Sequence, residues 1–407
     1  FKITFGDIRI WELIIIFYLF YNFILVATEG KTLKVGLKEP LLYIIPFYLI
    51  TFISLINIKY LSFFIPGFII FTLFTILYLI ISNQNYLNLS KVSNHIIFMG
   101  VIASLWGFIE VIFGFGTGSK WFGVISRADS FFGEPNEFSQ YLVLPFGYLI
   151  SKIFISSSLK NTRGLYKYWI FLLIIIMAQL LSFSRGGILA FLFQMLFLFY
   201  LSSRVGLFSA LIPKIMLSTI LLFSFIILTL NVEIVPNFKI IDGLELILFR
   251  VTNTFSSSDA SLSDRFLAYK LGLSDITSSL NYFLLGSGRG SLAYKMGEIN
   301  YRFEGVATTS NYIIDIISET GFLGFLSFLF LIFKVFIKGV INFKEIFFHN
   351  SVNYNIIYLG SIISMFGLLI GGLTTATHLH VFFWFILGII YSLNNQDKLS
   401  FKRNNIN

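Results

Sequence analysis

The sequence has no cysteine and little charge. None of its 407 residues is Cys, which excludes disulfides and thiolate chemistry. Only 12% are Asp, Glu, Lys or Arg, where a soluble domain carries about a quarter. With 57% hydrophobic residues, so few charges cannot solvate a surface. A soluble enzyme is excluded, and so is a disordered or collagen-like chain. No Asp-x-Asp motif is present, so no divalent metal bridging a diphosphate is suggested, and no cofactor is implied. Neither a signal peptide nor an internal repeat of the transporter kind is visible.

Long apolar runs take the place of charge. No charged residue falls between Tyr60 and Ser90, or between Ile346 and Gln396. A spanning helix needs about 20 apolar residues, so each run holds one or two spans. These runs do not alternate at period two, as barrel strands do. The fold class is therefore an all-α polytopic membrane protein. Spans are expected at 11–28, 41–57, 61–82, 95–116, 138–157, 168–184, 187–203, 212–231, 311–333, 352–373 and 380–395, roughly 11 in all. They form a single membrane domain over 1–407, with a large loop at 232–310.

The net charge of +9 reads as a positive-inside bias, not as a nucleic-acid surface. One set of alternate short loops holds Lys31, Lys34, Lys38, Lys91, Lys160, Arg163, Lys167, Arg204, Lys214, Lys334, Lys338 and Lys344. The tail with Lys398, Lys402 and Arg403 lies on the same side. The opposite loops hold only Lys59, Lys120, Arg127 and Arg185. The first side is expected to be cytoplasmic, which puts the C-terminus inside and Phe1 outside. A further span upstream, giving about 12, would return the N-terminus to the cytoplasm. The loop at 232–310 is then outer, and its apolar stretch Ile240–Phe249 suits a helix lying at the interface.

Five outer-face groups can carry chemistry. Ser184-Arg185-Gly186-Gly187 turns the chain between two spans. Its glycines allow a tight turn and close ligand approach, and Arg185 can grip a phosphate. The structural reading is an arginine snorkelling to headgroups. In the loop, Ser263-Asp264-Arg265-Phe266 opens a helical stretch running to about Asp275, followed by Leu285-Gly286-Ser287-Gly288-Arg289-Gly290-Ser291. That glycine-rich turn either presents N–H groups to an anion or is an exposed turn with solvated arginines. Next comes Ser310-Asn311-Tyr312, followed by Gly321-Phe322-Leu323-Gly324. Asp315 and Glu319 share a helix face there; intramembrane carboxylates are usually functional, or else pair with an arginine or with each other. Gly133-Glu134-Pro135-Asn136 enters a span. Asn136 is expected to cap it and Glu137 to favour its first turn, leaving Glu134 for a sugar hydroxyl. Last, His378 and His380 offer a base near neutral pH or a polar interfacial turn.

Taken in order, Gly-Glu-Pro-Asn before a span, Ser-Arg-Gly-Gly between two spans, a large outer loop and Asn311-x9-Gly321-x2-Gly324 resemble the O-antigen polymerase and O-antigen ligase superfamily. The resemblance covers roughly residues 131–333 by motif and the rest by topology. It implies a membrane glycosyltransferase of the GT-C type in the bacterial inner (cytoplasmic) membrane, acting toward the periplasm or cell exterior. It implies an undecaprenyl-diphosphate-linked oligosaccharide donor, a lipid bilayer around the site, and a chain-length regulator and flippase of the same pathway as partners. Arg185 and Arg265 are expected to hold the donor diphosphate. Glu319 and Asp315 are further catalytic candidates. Ser184, Gly186, Gly187, Glu134, Asn136, Arg289, Ser310, Asn311, His378 and His380 are candidates for substrate binding. The ligase signature has His where this chain has Ser310, which tilts the reading to a Wzy-type polymerase of lipopolysaccharide or capsule biosynthesis. A ligase moving finished polymer to another acceptor is the close alternative. A polysaccharide or lipid-linked-sugar transporter is the alternative of a different class; it predicts mid-span polar residues, of which Glu110 and Lys152, both near span ends, are the exceptions found.

Overall fold

A computed structural model describes residues 38–59, 61–84, 86–114, 127–132, 134–158, 164–206, 233–235, 238–239, 260–274, 276–292, 308–349, 351–376 and 380–404. In chain order the elements are α1 (Lys38–Ile53) with a 3-10 turn (Ser54–Asn57), α2 (Leu61–Ser82), α3 (Tyr86–Phe113), α4 (Pro135–Ser158), α5 (Leu165–Leu181) and α6 (Arg185–Arg204). A short strand pair follows, β1 (Glu233–Val235) and β2 (Phe238–Lys239), running antiparallel. Then come α7 (Ala260–Leu273), α8 (Leu280–Leu285), α9 (Tyr312–Ile332), a π-helical segment (Phe333–Ile337), α10 (Lys338–His349), α11 (Val352–Gly371) and α12 (Val381–Asn404). The expected spans 11–28 and 212–231, the stretch Ile240–Phe249, and His378 lie outside the described residues.

Among the described residues, 7 helices are long and apolar enough to cross a membrane, and Leu165–Leu181 and Val381–Asn395 form shorter apolar helices. Apart from the strand pair, this is an all-α polytopic membrane protein. Expected boundaries are corrected at three helices: α3 begins at Tyr86 and not at 95, α12 runs on to Asn404 and not to 395, and α9 is extended most. The span drawn at 311–333 runs on without interruption as Tyr312–Phe348, 37 residues. At ~1.5 Å per residue that is about 56 Å, beyond the ~30 Å hydrocarbon core. Lys334, Lys338 and Lys344 therefore sit on helix, not in a loop. A helix stops where its backbone runs out of partners, not where the bilayer ends.

The described residues fall into two compact units. The first takes its elements from Phe1–Asn88, Asp264–Ile341 and Gly372–Asn407, the second from Leu89–Ser263 and Asn342–Gly371. In the first unit α1, α2, α9 and α12 meet over aromatic side chains. Phe47 packs edge-on against Phe71 at 5.2 Å and Phe328 at 5.5 Å, and Phe71 against Trp384 at 5.6 Å. Inside a bilayer, packing rather than exclusion of water holds helices together, and rings supply that contact. In the π segment the Val335 carbonyl accepts a bond from Asn394 Nδ2 at 3.0 Å. In the second unit α4 is buried along most of its length and packs against α5, α6 and α11. Gly147 lies so close to Ser364 that a Cβ would overlap its hydroxyl. Tyr148 shares a buried hydrogen bond of 2.7 Å with Ser361.

Helix α9 is broken at Gly321, whose φ of 67° and ψ of −171° leave the helical region. The break removes the intrahelical partners of the Ser318 and Glu319 carbonyls. Buried carbonyls need donors, and here the N–H groups of Ser287 and Gly288 supply them at 2.8 and 3.0 Å. Gly286 and Gly321 face one another with positive φ, and a Cβ on either would overlap backbone of the other strand of chain. Gly114 also has positive φ, 69°, but open space where its Cβ would be. Gly114→Ala should thus cost only the left-handed penalty, about 1–2 kcal/mol. Gly321→Ala adds the collision with Leu284, so its thermal midpoint in detergent should fall clearly further. Equal midpoints for the two variants would contradict this account of the break.

Candidate functional site

The candidate residues gather in two places, one in each unit. In the first unit Asn311 caps α9, its Oδ1 accepting from the N–H groups of Ile313 and Ile314 at 3.0 and 3.3 Å. Its Nδ2 donates to the Leu373 carbonyl at 3.2 Å, and the Tyr312 N–H to that of Gly372 at 3.0 Å. Arg265 on α7 reaches the same segment, donating from Nη1 to the Thr374 carbonyl at 3.1 Å. It is half-buried. Ser310, just before the cap, holds a left-handed φ of 61°, unusual for a residue with a side chain. His380 is buried at the start of α12 and stacks on Phe382 at 5.0 Å.

The two carboxylates of α9 do not bond each other. Asp315 Oδ1 accepts from the Thr309 N–H at 2.7 Å and hydroxyl at 2.6 Å, and its buried Oδ2 makes no hydrogen bond among the described residues. Glu319 is engaged at both oxygens. Oε2 accepts from Arg289 Nη1 at 2.6 Å, and Oε1 from the Gly290 N–H at 2.9 Å. Arg289 is 4% exposed and Glu319 5%. The guanidinium also lies 5.8 Å from the Phe71 ring centroid. This corrects the picture of an exposed turn with solvated arginines. The turn Gly286–Gly290 is docked into the break of α9, and the anion its N–H groups meet is Glu319. Asn57 holds the turn from the other side, donating to the Gly286 carbonyl at 2.8 Å.

In the second unit α5 ends at Leu181, Ser182–Ser184 reverse the chain, and α6 begins at Arg185. The left-handed residue of this turn is Phe183, with φ 49°, and not a glycine. Gly186 and Gly187 lie in the first turn of α6, and a Cβ on Gly187 would overlap the Ser139 and Gln179 side chains. That glycine serves close helix packing and not the turn itself. Ser184 caps through its backbone carbonyl, bonded to the Ile188 N–H at 3.1 Å. Arg185 is half-buried.

The expected cap of α4 is also corrected. Pro135 is the first residue of α4, and the Glu134 carbonyl accepts the first helical bond, from the Phe138 N–H at 3.0 Å. A proline suits that position because its missing N–H is not needed there. Asn136 faces Arg127, whose Nη2 donates to Asn136 Oδ1 at 3.4 Å. Glu137 does fall in the first turn, and Glu134 is exposed.

Arg127 is the residue that sequence reasoning passed over. Besides Asn136 it grips the chain reversal, donating from Nε to the Ser182 carbonyl at 2.9 Å. Buried Glu110 fixes the neighbouring backbone, accepting from the N–H groups of Ser130 at 2.6 Å and Asp129 at 3.2 Å. Its place inside a span was the signal. Arg127 and Arg185 thus stand near the amino ends of α4 and α6, where helix dipoles and free N–H groups already favour an anion.

Arginines placed at helix ends suit an anion. Residues 170–329 match the family model described as O-antigen ligase. The match supports the O-antigen polymerase and ligase superfamily, whose members are glycosyltransferase-like enzymes. It takes in Arg185, Arg265, Arg289, Asn311, Asp315 and Glu319, and leaves out Glu134, Asn136, His378 and His380. No curated protein matches the chain.

The ion pair is the part of the site with the clearest energetic consequence. Removing one partner of a buried pair strands the other charge, at about 3–5 kcal/mol. Arg289→Ala and Glu319→Ala should each lower the thermal midpoint in detergent. The double variant should lose clearly less than the two losses added. Additive losses would show that the two side chains do not stabilise one another.

Proposed function

We propose that the protein is a polysaccharide polymerase of the bacterial inner (cytoplasmic) membrane. It joins undecaprenyl-diphosphate-linked repeat units into O-antigen or capsular polysaccharide, with its C-terminus cytoplasmic and its site open to the periplasm or cell exterior. The observation that carries this is the superfamily match over the segment holding Arg185 and Arg265. In this reading a hydroxyl at the non-reducing end of one lipid-linked unit attacks the anomeric carbon of the chain on the other. The new glycosidic bond forms as the bond to the diphosphate oxygen breaks, and a single displacement inverts that carbon. The diphosphate leaves with the electron pair of that bond, and a preorganised arginine stabilises its growing charge, Arg185 of the second unit and Arg265 of the first being the two candidates. Only contacts that tighten in the transition state speed the transfer, and preorganised donors do so without reorganisation.

The hydroxyl proton needs an acceptor. Both oxygens of Glu319 are already bonded, so we assign it to holding Arg289 and the docked turn. Asp315 keeps one oxygen without a partner among the described residues and is the better base. It is 1% exposed, so this role requires the segment Thr308–Ser310 to move aside when the acceptor binds. Glu134, exposed at the start of α4, suits a contact to a sugar hydroxyl. A second reading, ligase, is favoured by the description of the matched family. Ser310 in place of the ligase histidine favours the polymerase.

Complementation of a host lacking the gene tests both, with surface polysaccharide separated by length. Arg185→Ala and Arg265→Ala, at matched membrane abundance, should each cut polymerisation on the order of a hundredfold. The long ladder should vanish while single repeats still reach the surface. Full-length polymer accumulating on its carrier lipid would indicate a ligase instead. A normal ladder in both variants would overturn the assignment of the arginines.

A further inference from the structure

Helix α8 lies in the segment that sequence reasoning gives to an aqueous loop, and its side chains do not suit water. Leu280 is 70% exposed, and Phe283, one turn on, is exposed too. The Phe283 ring stacks on Phe322 with centroids 5.5 Å apart and planes at 15°. Phe322 is the first residue beyond the break of α9, and it opens an exposed apolar stripe through Leu326, Leu329 and Phe333. On a membrane-spanning helix such a stripe at helical spacing faces lipid. The surface of α8 therefore continues the lipid-facing surface of α9 without a gap.

A second contact ties α8 to another apolar helix end. Asn57, at the end of α1, donates to the carbonyls of both Asn281 and Gly286, the two ends of α8. Its neighbour Ile56 is 76% exposed. Thus α8 is hydrogen-bonded to the end of one apolar helix and stacks an aromatic ring against the side of another. Its polar residues lie at its start: Asn281 is exposed, and Ser279 caps the helix by accepting from the Tyr282 N–H at 3.3 Å.

We propose that α8 is a membrane-interface segment whose Leu280 and Phe283 insert into the acyl region of the bilayer. It ties the turn that follows it, with Arg289, to the membrane boundary. The occupant of this surface is lipid, because the patch is continuous with a spanning helix's lipid face. The inference is independent of the proposed reaction.

The absence of cysteine makes the test direct. Single variants Leu280→Cys, Asn281→Cys and Leu326→Cys are spin-labelled and reconstituted into phosphatidylethanolamine and phosphatidylglycerol vesicles. Collision with oxygen and with a water-soluble nickel chelate is then compared. The label at 280 should behave like that at 326, with an oxygen-to-nickel ratio several-fold above that at 281. Nickel access at 280 equal to that at 281 would overturn the proposal. So would shielding from both reagents, the result expected if a protein partner or second copy covers the patch. If Leu280→Cys fails to insert, Phe283→Trp keeps the ring stack. Quenching of its added emission by brominated acyl chains supports insertion, and no quenching overturns it.

Discussion

The buried pair of Arg289 and Glu319 governs the architecture of the first unit. Two charges 2.6 Å apart and almost fully enclosed tolerate burial only with further hydrogen bonds. The Gly290 N–H supplies one, and it can do so only because the turn is seated in the break of α9. The break needs Gly321, the close approach needs Gly286, and the seat is closed by Asn57. Removing any of these leaves a buried charge or carbonyl without its partner. A local irregularity in one helix therefore fixes the connection between α1 and α2 and the turn after α8.

A site for a lipid-linked sugar has to serve two solvents. The prenyl tail needs hydrocarbon, and the sugar chain needs water. In the proposed function helix ends would meet that demand, because they carry free backbone N–H groups and arginines. In the second unit Arg127 and Arg185 stand at such ends; the Ser182 carbonyl braces Arg127, and Glu110 holds the backbone that follows it. In the first, Arg265 is held beside the capped start of α9 by the Thr374 carbonyl. Arg127 and Arg265 are each positioned by a main-chain acceptor, bracing that fixes where the cation sits.

The spanning helices were legible because hydrophobic length is a property of the chain alone. The described spans overlap the apolar runs that predict them, but α3, α12 and above all α9 with its continuation to His349 run beyond the expected ends into charged or polar sequence. Asn311 and Gly321 were legible as a motif, though not their purpose as cap and break. For the glycine-rich turn the sequence leaves an anion site and an exposed turn both open, since it cannot show that Glu319, some thirty residues on, is the anion the turn meets. The same holds for the Ser-Arg-Gly-Gly turn, where Phe183 takes the left-handed conformation and Gly187 serves packing. Arg127 was passed over because its partners, Ser182 and Asn136, are set by tertiary contact and not by spacing.

The most direct measurement of the central claim is turnover by the purified protein in vesicles supplied with a single lipid-linked repeat unit and no other acceptor. Mass spectrometry of the lipid fraction reads the products. The account predicts dimers and longer oligomers on the carrier lipid, with undecaprenyl diphosphate released in equal number to the bonds formed. Unchanged substrate from folded protein, with turnover appearing only when a different acceptor is added, would contradict it.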